Sequence, residues 1–127
     1  MPEFFSAKSE LELRIPAGCE FNAPKPELDN HFTAIWAYYP KGKTLHIDDS
    51  LMYFDDPPFV FRLAGIEPKT LAFHPALEKY VLNETPQTGM LLSKWFQQII
   101  ADWDFENIAA AHNGVVMGGG TQQFIQT

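Results

Sequence analysis

Residues 85–103 constrain this chain most. Leu92, Trp95, Phe96, Ile99 and Trp103 recur at steps of three and four, the spacing that lines side chains along one face of an α-helix. Thr85 offers a capping hydroxyl, and Pro86 suits the first helical position, where its missing amide costs nothing. A helix with one apolar stripe gains most of its stability by covering a second apolar layer. Trp95 and Trp103, both on the stripe, are therefore expected in the core.

The other apolar runs are short and read as strands. In 9–15 polar and apolar residues alternate, which predicts a half-buried strand with Leu11, Leu13 and Ile15 inward and Glu10, Glu12 and Arg14 outward. The Pro-rich stretch 22–27 is expected to be a loop, because proline brings no amide to a ladder. Residues 32–39 and 44–48 flank Pro40-Lys41-Gly42-Lys43 and predict a β-hairpin with Leu45 and Ile47 facing the core. Asp49 then falls at the C-terminal lip of the second strand, with Asp48 just before it. Asp55-Asp56-Pro57-Pro58 reads as a turn, 70–73 as a short buried strand closed by His74, and 108–111 as a buried strand closed by His112-Asn113-Gly114. Residues 121–125 carry too few signals for an assignment.

The 127 residues, 46% of them apolar, suffice for one domain, and a single domain spanning 1–127 is expected. A net charge of −7 argues against nucleic acid or an anionic membrane as partner, since both require clustered Lys and Arg. Small-molecule or protein partners fit better. The lone Cys19 cannot form an intrachain disulfide and reads as a partly buried structural thiol. The N-terminus lacks the basic and apolar regions of a secretory signal, and no run approaches the roughly 20 apolar residues of a membrane span. A soluble, cytoplasmic protein is expected.

His31, Asp49 and His112 are the candidate metal ligands. Imidazole nitrogen and carboxylate oxygen are the donors of catalytic zinc, whose sites keep one position open for water. Structural alternatives stand beside each residue: His31 as a loop residue at a strand start, Asp49 as a cap of its own turn, and His112 as a turn histidine bonded to backbone. His74 and Asp48 are candidates to line the pocket, although for His74 a half-exposed residue fixed by Pro75 is the better reading. No catalytic residue can be singled out.

From about His31 to about Gly114 the chain resembles the C-terminal half of the metallo-β-lactamase fold. There a histidine precedes a hairpin, an aspartate ends the next strand in a Gly-Asp-Thr-like step, and a final histidine follows a helix and a short strand. The matching segments are His31-Phe32-Thr33, Ile47-Asp48-Asp49-Ser50 and the run from Trp103 to His112. The resemblance implies an α/β fold in which helices cover a mixed β-sheet, about one half of an αββα sandwich, with an apolar uncovered sheet face that favours self-association into a homodimer. It implies a divalent metal, zinc before iron or manganese, with Asp49 shared between two cations and His31 and His112 on one each. It also implies hydrolysis of an ester, thioester, amide or phosphodiester in a small-molecule substrate. Two departures matter. The family's His-x-His-x-Asp-His segment has no counterpart before His31, and Asp48 and Asn113 differ from the usual pattern at their positions. A truncated hydrolase with reduced or no activity is thus expected, the alternative being a non-catalytic interaction module that keeps the half-sandwich.

Overall fold

The structure, a computed structural model, describes residues 10–19, 34–75, 77, 82, 85–111 and 114–127. It is a mixed α/β fold built on a five-stranded sheet in the order β1-β2-β3-β6-β7, beside a separate two-stranded antiparallel pair, β4-β5. The strands are β1 (Glu12–Arg14), β2 (Trp36–Tyr39), β3 (Thr44–His46), β4 (Leu51–Tyr53), β5 (Leu71–Phe73), β6 (Asn107–Ala109) and β7 (Val115–Val116). Three helices accompany them: α1 (Phe59–Leu63), α2 (Thr88–Asp102) and α3 (Gly120–Gln126).

The expected hairpin is β2-β3, antiparallel with Tyr38 opposite Leu45. Its turn is a 3-10 segment, Pro40–Gly42, that closes through Lys43 in the left-handed region at φ 44°. Lys43 itself is tied to Glu106 and Asp104, whose carboxylates raise its pKa. β3 pairs with β6 in parallel, so the sheet is mixed. A parallel neighbour needs a long crossover, and α2 lies within it.

The apolar stripe of α2 covers one sheet face. Trp95, Ile99 and Trp103 join Trp36, Tyr38, Leu45, Ile47 and Ile108 in one core. Aromatic pairs knit it: Trp36 meets Trp95 edge-on at 4.8 Å, and Tyr38 stacks on Trp103 at 5.3 Å. From α3, Phe124 closes on Trp36 at 5.6 Å. Among the described residues no helix is long and apolar enough to cross a membrane.

Two expectations need correction. The helix begins at Thr88 rather than at Pro86, and Thr85 bonds the Thr88 hydroxyl and amide from one turn upstream instead of capping position 86. The turn at 55–58 is present as expected and leads into α1, which is followed by Gly65 with φ 85°, a left-handed stop signal present in the sequence. The larger correction concerns β1. Its polar row, Glu12 and Arg14, faces the helix, while Leu11, Leu13 and Ile15 are 41%, 57% and 43% exposed on the opposite face.

The inversion has a physical cause at Trp103. Its indole N–H donates to Glu12 Oε2 at 2.7 Å, satisfying a polar atom on a nearly buried ring. Arg14 lies over the same ring at 4.7 Å and donates to Asp102 Oδ2 at 2.6 Å. The covered side of this edge strand thus meets one polar-tipped ring, which suits amphipathic side chains better than leucines.

Cys19 forms an isolated antiparallel bridge with Leu82 and packs against the small cluster of Ala34, Leu77 and Leu92. Burial pushes its thiol pKa from 9.0 up to about 11. We therefore expect slow alkylation at pH 8 and a rate that keeps rising well above pH 9 in the folded protein, read by thiol-reagent kinetics. Because the raised pKa favours the protonated thiol in the fold, this contribution to stability is whole below about 9. It is lost as pH climbs through about 11.

Candidate functional site

The parallel pairing of β3 with β6 brings the C-terminal ends of both strands to the same edge of the sheet. Beyond the strands the two segments remain joined. Ile47 N–H donates to Ala109 O at 3.1 Å, and Ala111 N–H donates to Asp48 O at 3.4 Å. On the other side, Ile35 N–H donates to Asp48 Oδ2 at 3.4 Å. Three chain segments, 34–35, 47–49 and 109–111, thus converge on the peptide and carboxylate of Asp48.

Asp48 holds φ 49°, a conformation that short polar side chains tolerate better than most. It begins a 3-10 turn, Asp48–Ser50, that carries Asp49 just past the strand. The turn is fixed from below: Trp36 Nε1 donates to Ser50 Oγ at 3.0 Å in the core, and His74 N–H donates to Ser50 O at 3.1 Å. Burial raises the Asp48 pKa; the Ile35 amide opposes the shift and the neighbouring Asp49 charge adds to it.

Asp49 and His74 line the same cavity, of about 330 Å³. Leu51, Met52 and Phe54 from β4 and its end, and Pro58 and Phe61 around the start of α1, supply the apolar wall. An acid and an imidazole at the rim of an apolar hollow can orient a small polar group while the wall excludes water. Among the described residues no group of three or more His, Cys, Asp or Glu is placed to hold a metal. His31 and His112 lie outside the described residues.

Comparison with known proteins brings no match to a family model, a curated protein or a solved structure.

Sequence reasoning did not single out Ser50, which the Trp36 indole holds, or Phe54 and Phe61, whose tilted rings meet at 5.0 Å in the cavity wall. For Phe61 a signal existed, since Pro58 followed by an apolar run and Gly65 is a short helix in outline. For Ser50 there was none, because its partner lies 14 positions upstream. Nor could local reasoning foresee Gly114, where a Cβ would sit 2.7 Å from Tyr53 Cδ1 and 3.0 Å from Tyr53 O.

Proposed function

We propose that the chain carries the C-terminal part of a metal-dependent hydrolase site of the metallo-β-lactamase type, acting on a small-molecule substrate. The supporting observation is the convergence at Asp48. Asp49 follows it directly, His112 follows Ala111, and His31 precedes Ala34 by three residues, a span of about 11 Å at most. Strand order draws the described segments 34–35, 47–49 and 109–111 toward one end of the sheet, which supports this reading. The half-sandwich belongs to the same proposal, supported by a mixed sheet that α2 covers on one face while the apolar row of β1 stays exposed on the other.

The donor set fits a divalent cation in kind. Carboxylate oxygen and imidazole nitrogen suit zinc first, with iron or manganese as alternatives. Asp49, His112 and His31 would hold the metal, and His74 would line the pocket beside it. When bound, the metal supplies Lewis acidity toward a carbonyl or phosphoryl oxygen. The chain's own contribution is positional. Trp36 and Ser50 hold the acidic turn, Ile35 holds the Asp48 carboxylate, and the β4 and α1 walls keep the hollow apolar.

The test is elemental analysis of zinc, iron and manganese in protein purified without chelator, together with melting temperature with and without added zinc. Bound metal that is lost in Asp49→Ala and His112→Ala but kept in His74→Ala is the expected result. Zinc at 100 times its dissociation constant should add about 2.7 kcal/mol of stability. A metal-free protein whose melting is indifferent to zinc overturns the reading and leaves the non-catalytic interaction module.

A further inference from the structure

β1 is the edge of the five-stranded sheet, and among the described residues no strand pairs with its outer side. Its apolar row, Leu11, Leu13 and Ile15, is solvent-exposed and continues onto β2, where Leu13 stands opposite Ala37. An unpaired edge with an apolar row is a template for one more strand.

The pattern of this strand selects the occupant. Laid antiparallel on a second copy about Leu13, it sets Leu13 against its own counterpart, Leu11 against Ile15, and Glu12 against Arg14. Apolar meets apolar and acid meets base at each of these pairs. Sliding by one residue places Leu13 opposite Glu12 and sends the two apolar rows to opposite faces of the sheet. Sliding by two residues sets Glu12 against Glu12 or Arg14 against Arg14, like charges directly opposed. One register alone satisfies both rows.

We infer that two copies of this chain associate through β1, pairing antiparallel about a two-fold axis at Leu13. The pairing satisfies the orphan backbone groups of the edge and joins the two exposed rows into one. It also matches charge locally between chains that each carry −7 overall. Glu12 and Arg14 keep capacity for it: a carboxylate has a second oxygen beyond the Trp103 bond, and a guanidinium has further donors beyond the one on Asp102. Pro16 lacks an amide and limits the ladder to a few residues, so the association is weak and concentration-dependent.

Cysteine cross-linking in a Cys19→Ser background reads the register directly. Opposed residues on antiparallel strands have Cα atoms about 4.5–5.5 Å apart, within disulfide reach. Leu13→Cys should oxidise to a covalent dimer and Leu11→Cys alone should not, whereas Leu11→Cys mixed with Ile15→Cys should. In sedimentation across a concentration series, Leu13→Lys should weaken association on the order of tenfold or more, because it places two ammonium groups face to face. All three positions are exposed, and circular dichroism checks that each variant folds. A chain monomeric throughout the series overturns the inference. So does cross-linking of Leu11→Cys alone as readily as Leu13→Cys, or unchanged association of Leu13→Lys.

Discussion

Replacing Trp36 with alanine should cost about 3–5 kcal/mol of folding stability, measured as a drop in the denaturant midpoint. Domains of this size hold about 5–15 kcal/mol in total, so the variant should populate unfolded chain under mild conditions. Trp36 has no exposed surface and joins its own strand to two helices, three elements in all. Its ring meets Trp95 and Phe96 of α2 and Phe124 of α3, and it stands on β2 on the covered sheet face. Removing it opens a cavity that no single neighbour can fill, because those neighbours sit on different elements. A loss under about 1 kcal/mol would mean that the three elements do not meet around this ring.

The same residue links the core to the acidic turn. Trp36→Phe keeps most of the apolar contact but removes the donor to Ser50 Oγ, leaving a buried hydroxyl to find another partner. Such an orphan costs about 1–3 kcal/mol, and relief by tilting the 3-10 turn would carry Asp49 with it. Packing and site geometry are therefore coupled at Ser50, where a side chain named by neither the helix pattern nor the ligand search holds the turn in place.

What the sequence made legible follows from the range of each signal. The α2 stripe, the β2-β3 hairpin and the burial of Leu45, Ile47, Trp95 and Trp103 all rest on periodicity within a few residues, and the structure contains them. The strand at 12–14 was legible as well, but not which of its faces would be covered. Alternation fixes two faces, and only a long-range partner decides between them; here it is Trp103, 91 positions from Glu12. The helix start moved from 86 to 88 for a local reason, since Thr85 and Thr88 bond to each other across the first turn. Convergence at Asp48 was foreseeable only through topology, because it depends on β3 and β6 being parallel neighbours. Charge and composition bear on partners and leave that pairing open.

Gly114→Ala should destabilise the fold by about 1–3 kcal/mol, although it adds a single methyl group. Gly114 has no positive φ to defend; the cause is close approach. The new Cβ would lie 2.7 Å from Tyr53 Cδ1 and 3.0 Å from Tyr53 O, and a backbone oxygen of β4 cannot swing aside. The ring is 6% exposed and has little room to retreat. Relief must come from moving the corner that joins β6 to β7, where Ala110 N–H donates to Gly114 O at 3.4 Å. Ala111, which lies in the same connection, is bonded to Asp48, so the substitution should disturb the candidate site as well as the fold. Gly89→Ala is the matched contrast: it lies in α2 with nothing within 4 Å of its added Cβ, and should stabilise by about 0.5–1 kcal/mol through helix propensity alone. Denaturant midpoints of the two variants should therefore move in opposite directions. If Gly114→Ala moves with Gly89→Ala, the tight seat of Gly114 against β4 is refuted.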